Sequence, residues 1–352
     1  MGPFVLHLPK RSGREGVRGS CGHGRFDTTA QRRLPGGVRS ERRPLVRRGP
    51  EVTRGRAARP RDRWLGKVLQ LLAFLPLPLN HALGGALGWL AWLLPTRMAR
   101  IARINIELCF PEQSRGWRRS VVRRSLMEMG KALTEAPWLW RANPDRLRSL
   151  GAYPAVCDPA GRRPEGQALF LITPHLGSWE FGGLHTATYG PMTTLYSPLP
   201  IPAIDRWIRD ARASTGAQLA PATREGLRQL RAARDRGEMI GMLPDQSPRR
   251  ATGAFAPFFG HPALTMTLLP RLLRGRDDRV VFVFAERLPR GRGFRYHELE
   301  AGPEIADPDP RRAAAEINRL VEALVRQCPE QYNWVYKRFR PAPSGAPDPY
   351  RR

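Results

Sequence analysis

Between residues 168 and 327, short unbroken apolar runs alternate with longer stretches whose apolar residues recur every three or four positions. The runs ALFLIT (168–173), TTLYSP (193–198), EMIGMLP (238–244) and RVVFVFAERL (279–288) read as strands, and GFRYHELE (293–300) as one more. AIDRWIRDARAS, TREGLRQLRAARDRG, LTMTLLPRLLRG and PRRAAAEINRLVEALVRQCPE read as helices, the second ended by Gly237 and the third bent at Pro270. Strands that are apolar throughout suit a sheet covered on both faces. The alternation therefore predicts an α/β fold, with a mixed, largely buried sheet flanked by helices.

Upstream the periodicity is helical. ARINIELCFPE ends at Pro111. SRGWRRSVVRRSLMEMGKALTEAPWLW follows as an amphipathic helix, with Val122, Leu126, Met129 and Leu133 at core spacing. Before it, the 28 positions from Val68 to Pro95 hold no Asp, Glu, Lys or Arg. That length can cross ~30 Å of hydrocarbon as a helix. Pro76, Pro78, Asn80 and His81 interrupt its middle, and arginines flank both ends. Prolines restrict a helix and the polar pair is costly at a bilayer centre. Residues 64–95 therefore predict two short helices dipping into one leaflet, with Trp64, Trp89 and Trp92 at the interface. A single span and a pair of soluble core helices stay open as alternatives.

Charge changes the picture at the ends. The chain of 352 residues has a formal charge of +28. Residues 1–63 hold 17 Lys/Arg and 5 Asp/Glu without apolar periodicity, and read as a basic disordered tail rather than a signal peptide. Translation from a downstream start is an equal alternative. The parsing is then 1–63 tail, 64–95 membrane-associated segment, 96–340 main domain and 341–352 disordered tail. The folded part remains basic, which attracts nucleic acid, anionic lipid or an acidic protein. No nucleic-acid fold signature is present. Cys21, Cys109, Cys157 and Cys328 are scattered, with no metal-ligand spacing and no disulfide framework, so a reducing compartment is expected.

The candidate chemistry lies in ITPHLGSWE (172–180). His175 sits just past the carboxyl end of a buried strand, where open α/β sheets place ligands. Ser178 is a plausible cap for the helix that follows. Across such a strand–turn–helix junction Glu180 can meet His175 and fix its tautomer, and the helix start offers amides for an oxyanion. A satisfied loop histidine beside a helix-start glutamate is the bland alternative. No G-x-S-x-G elbow is present, which argues against a serine hydrolase. Asp245 in LPDQSP ends another strand, as a second acid at the same sheet edge or as a turn aspartate. Phe258 and Phe259 in GAFAPFFGHPALT could line an apolar slot for an acyl chain or simply pack the core. Arg212 could face a phosphate. The stretch CPEQYNWVYKRFR reads as an aromatic and basic surface patch.

Taken in order, NIELCFPE, HLGSWE, YSPLPIPAIDRWIRDARASTG, TREGLRQLRAARDRGEMIGMLPDQ, FFGHPALT and PEQYNWVYKRFR resemble the lipid A biosynthesis lauroyl/myristoyl acyltransferases of the lysophospholipid acyltransferase superfamily. The likeness covers roughly residues 64–340 and leaves the first 63 unmatched. It implies an acyltransferase fold with an N-terminal membrane segment, at the cytoplasmic face of a bacterial inner membrane. It implies acyl transfer from an acyl carrier protein thioester to a hydroxyl of a lipid A precursor. The family's HxxxxD/E motif falls on His175 and Glu180, as base and supporting acid. No metal, nucleotide cofactor, nucleic acid or covalent acyl-enzyme is implied. Other acceptors, such as a lysophospholipid, an ornithine lipid or a glycosylated phosphatidylinositol, would use the same chemistry.

Overall fold

The computed structural model describes residues 60–151, 164, 166–198 and 201–351. The expected basic tail therefore lies almost wholly outside the described residues. Two helices open the described chain, α1 (Pro60–Phe74) and α2 (Leu77–Leu93), followed by α3 (Arg97–Cys109), α4 (Arg115–Arg141) and the short α5 (Pro144–Arg148). Pro76 and Pro78 mark the break between α1 and α2, as the interrupted apolar run predicted. No helix among the described residues is long and apolar enough to cross a membrane. Asn80 and His81 do not face lipid: both are buried against protein. The Asn80 side chain donates through Nδ2 to Leu72 O and Leu75 O at 3.0 and 2.9 Å, closing the end of α1.

Helix α2 lies almost backbone to backbone on α4. A Cβ at Gly84 would stand 2.5 Å from Gly130 O, and one at Gly88 2.1 Å from Leu126 O. Only glycine permits that approach. Ser114 and Thr96 cap α4 and α3, accepting from the amides of Trp117 and Ala99 at 3.1 Å. Val122 and Leu126 are buried as expected, but Leu133 is 63% exposed. The buried face of α4 takes Thr134 and Glu135 instead, because α2 presents polar Asn80 and His81 there.

Six strands form the main sheet: β1 (Leu169–Ile172), β2 (Met192–Tyr196), β3 (Ala217–Pro221), β4 (Met239–Met242), β7 (Arg279–Arg287) and β8 (Phe294–Glu300). Their order is β3-β2-β4-β1-β7-β8, parallel except for β8 at one edge. Every residue of β1 and β4 is buried, since both faces are covered. Helices α6 (Trp179–Ala187), α7 (Pro202–Ser214), α8 (Arg224–Asp235), α9 (Leu268–Leu273) and α10 (Pro310–Gln327) supply the crossovers and much of the cover. Phe170, Ile172, Ile240, Phe282 and Phe284 share one core with α3, α4 and α10. Leu169, Leu171, Met239 and Val281 point to the other face.

Three expectations need correcting. The strand β3 was missed, being short, alanine-rich and ended by proline. GAFAPFFGHPALT is a hairpin, β5 (Gly253–Phe258) with β6 (His261–Met266). Phe259 and Gly260 turn it with φ of 49° and 75°, the two positive values such a two-residue turn requires. LTM therefore belongs to β6, and α9 begins only at Leu268, with Pro270 in its first turn where no donor is lost. Finally, residues 341–351 are not a loose tail. Tyr350 is buried, and its hydroxyl donates to Asn105 Oδ1 at 2.6 Å and accepts from the Phe339 amide.

Candidate active site

Strands β1 and β4 pair in parallel with a register offset of 70 residues, Leu169 opposite Met239 and Ile172 opposite Met242. Three residues further along each chain stand His175 and Asp245, with the same offset. The pairing therefore delivers the imidazole and the carboxylate side by side at the carboxyl edge of the sheet. Asp245 Oδ1 lies 2.8 Å from His175 Nδ1, and Oδ2 accepts from the His175 amide at 2.9 Å. Asp245 is buried and His175 retains 16% side-chain exposure. Burial works to raise the Asp245 pKa, but the adjacent His175 and its two hydrogen bonds win and hold it below the usual carboxylate range. The ionised Asp245 accepts the hydrogen bond of Nδ1–H and keeps that proton on Nδ1, so the lone pair rests on Nε2. Nε2 faces the exposed side, where Gln246 Nε2 approaches to 3.0 Å.

Glu180, the expected partner of His175, is engaged elsewhere. Its carboxylate accepts from Trp140 Nε1 at 2.9 Å and from Arg212 Nη2 at 3.0 and 3.4 Å. Arg212 also stands over the Tyr196 ring at 5.5 Å. The two motif residues thus belong to two adjacent pairs, His175–Asp245 and Glu180–Arg212. Ser178 is the N-cap residue of α6, as expected, but its side chain makes no capping hydrogen bond. The Ser178 hydroxyl donates to Glu135 Oε1 at 2.7 Å, and its amide donates to Ala285 O at 2.8 Å. The Gly177 amide donates to Gln331 O. This leaves the first-turn amides of α6, from Trp179 onward, as that helix end's donors.

The turn that carries His175 is clamped. Gly177 has φ of 61°, and a Cβ there would stand 2.1 Å from Ala285 O on β7. His175 O accepts from the Asn333 amide at 2.9 Å. Beneath the turn lies a buried ionic cluster that sequence reasoning missed. Arg287 donates to both Glu135 oxygens at 2.8 and 2.6 Å, to Glu128 at 3.1 Å and to Gly177 O at 3.2 Å. His81 Nε2 meets Glu135 at 2.8 Å. Burial opposes the Glu135 charge, yet the Arg287 guanidinium and the His81 and Arg287 hydrogen bonds push its pKa down to about 2. Nothing in the one-dimensional pattern pairs residues 81, 135 and 287.

Phe258 and Phe259 do not line an open slot. Phe258 packs against Tyr332, Phe339 and the Arg338 guanidinium. Phe259 packs against Phe110, Trp334 and Arg326. The stretch 328–340 is likewise core rather than surface patch: Tyr332, Trp334, Arg338 and Phe339 are all buried. Arg338 donates to Leu264 O, Thr265 Oγ1 and Asn318 Oδ1. Burial and the Asp245 charge hold Tyr332 as a neutral phenol. His185 is a buried core residue stacked on Phe181, and burial lowers its pKa to about 4.

A base on a parallel-sheet edge fits many enzymes, and comparison with known proteins narrows the choice. The family described as bacterial lipid A biosynthesis acyltransferase matches residues 56–341. A lipid A biosynthesis lauroyltransferase of Escherichia coli (strain K12) is 31% identical, over 82% of this chain and 94% of its own length. The palmitoleoyltransferase of the same organism is 29% identical over 80% of this chain and 92% of its own. Its myristoyltransferase is 24% identical over 82% of this chain and 90% of its own. The match runs through both α2 and the His175 edge, and the chain belongs to the bacterial lipid A biosynthesis acyltransferase family.

Proposed function

We propose that this protein transfers a fatty acyl chain from an acyl carrier protein thioester to a hydroxyl of a lipid A precursor, with His175 as general base. The observation that carries the reading is the His175–Asp245 pair. Its Nδ1 hydrogen bond leaves Nε2 unprotonated and facing the exposed side. Nε2 takes the acceptor hydroxyl proton as the oxygen attacks the thioester carbonyl. Collapse of the tetrahedral intermediate breaks the carbon–sulfur bond, and the imidazolium returns the proton to the departing thiolate. The Asp245 charge stabilises the imidazolium in between. Arg212, fixed by Glu180, supplies a cation beside the site for a phosphate or for the carrier. The basic protein favours an acidic carrier protein and a phosphorylated acceptor alike.

The same reading puts the protein at the cytoplasmic face of the inner membrane. Trp64, Leu71, Phe74, Leu79, Leu87, Leu93 and Leu94 are each at least half exposed along α1, α2 and the residue after it. A patch of that extent suits insertion into one leaflet. The test supplies acyl carrier protein thioesters and a tetra-acylated, Kdo-bearing precursor, and follows mass gain in wild type, His175→Ala, Asp245→Asn and Glu180→Gln. Mass gain in wild type and its loss in the first two variants supports the reading. No gain in folded wild type rejects the acceptor, and undiminished gain in His175→Ala rejects the base.

A further inference from the structure

Away from the two pairs just described, a cavity of about 780 Å³ opens where α2 ends between α3 and α4. Its wall holds four arginines, Arg103, Arg115, Arg118 and Arg119, with Glu107 as the single acid, and Trp92 and Leu93 close its apolar side. Arg118 is committed to the carbonyls of Phe110 and Pro111 at 3.4 and 3.2 Å. Among the described residues no carboxylate lies within ion-pair distance of Arg103, Arg115 or Arg119. Arg119 and Arg123 stand over the Trp92 ring at 5.4 and 6.0 Å, so the indole holds guanidinium planes at the rim.

We propose that this cavity holds the phosphate of an anionic bilayer phospholipid, and so fixes the depth and tilt of the protein at the membrane. The proposal rests on the membrane placement argued above. Three observations converge on it. First, unpaired arginines line a concave, solvent-open surface, and guanidinium groups bind phosphate oxygens two at a time. Second, exposed apolar residues flank it along the chain: Leu93 lines the cavity, and Trp89, Leu90, Leu93, Leu94 and Met98, from the end of α2 to the start of α3, are all at least 40% exposed. A lipid seated there has its phosphate on the arginines and its chains along the leucines. Third, Arg119 precedes Trp140, which bonds Glu180, by 21 residues on one helix, roughly 30 Å at 1.5 Å per residue. The arginine end of α4 is therefore remote from the Glu180 end. That separation suits a bilayer lipid better than the group being acylated.

The experiment uses the full chain in three forms: wild type, Arg115→Gln with Arg119→Gln, and a charge-matched control, Arg224→Gln with Arg231→Gln. The control residues are exposed on α8, which packs on β2, β3 and β4. Flotation measures binding to phosphatidylcholine vesicles with and without phosphatidylglycerol. At about 1 kcal/mol per arginine near a charged surface, the cavity variant should lose roughly 30-fold in affinity for the anionic vesicles. It should match wild type on the neutral ones, and the control should match wild type on both. Equal loss in cavity variant and control would mean diffuse charge and overturns the site. A raised KM for the acceptor in uncharged detergent micelles would make the cavity part of the acceptor site and also overturns it. Failure of wild type to bind any vesicle sinks the membrane placement first, and this site with it.

Discussion

A histidine becomes a base at neutral pH when one ring nitrogen is already committed, and in this chain the commitment comes from 70 residues away. Reading His175 as a base needed only its place past a buried strand. Naming its partner needed the strand order. Glu180 drew the reading because it stands five residues off, yet the turn aims its carboxylate at Arg212 and Trp140. The register of β1 against β4 decides the matter, and no local pattern encodes which strands are neighbours. Replacing Asp245 with Asn keeps the shape and removes the charge that sets the tautomer. It is expected to lower kcat by about 10²–10⁴-fold with little change in KM, measured by steady-state acyl transfer. Glu180→Gln, which leaves His175 and Asp245 in place, is expected to change substrate binding more than the proton transfer. A pH profile of kcat that keeps its shape in Glu180→Gln but not in Asp245→Asn separates the two roles.

Among the elements, those with strong periodicity were legible: β1, β4, β7, α4, α8 and α10 fall where the apolar pattern puts them. The hairpin β5–β6 was not, because Pro257, Gly260 and Pro262 imitate a loop, and because the pairing, not the propensity, makes it a sheet. The helical hairpin was half legible. Prolines announced the break, but the glycines' purpose appears only when α2 and α4 are seen in contact. Gly130→Val tests that purpose. Its Cβ would stand 2.0 Å from Gly84 O, against backbone that cannot yield without moving a helix. Thermal unfolding in detergent should show a loss of about 3 kcal/mol or more, since overpacking alone costs 1–3. The exposed control Gly116→Ala, with only Ser114 Oγ near at 3.9 Å, should be neutral or slightly stabilising.

At the level of the whole molecule, acid should unfold the protein through Glu135. Its folded pKa, about 2, is depressed below its ordinary value of 4.5, so its contribution is complete above about pH 4.5. That contribution is lost as pH falls towards 2, because the unfolded chain then binds the extra proton. Denaturant midpoints followed from pH 6 down to 3 should fall, and Glu135→Gln should fall less steeply. Glu135→Ala at neutral pH leaves the buried Arg287 with Glu128 as its remaining carboxylate and His81 and Ser178 without theirs, and should cost about 3–5 kcal/mol. The cluster also bears on how the protein can be handled. An exposed leucine-rich hairpin invites removal, on the view that an anchor can be cut from a soluble enzyme. Here the cut would take His81 from Glu135, uncover the glycine-lined backbone of α4, and loosen the floor beneath Ser178 and Gly177. A chain beginning at α3 should therefore aggregate instead of dissolving. Replacing Leu79, Leu83, Leu87 and Leu90 on the outer face with polar residues, with His81, Gly84 and Gly88 kept, is the redesign that should yield a soluble fold.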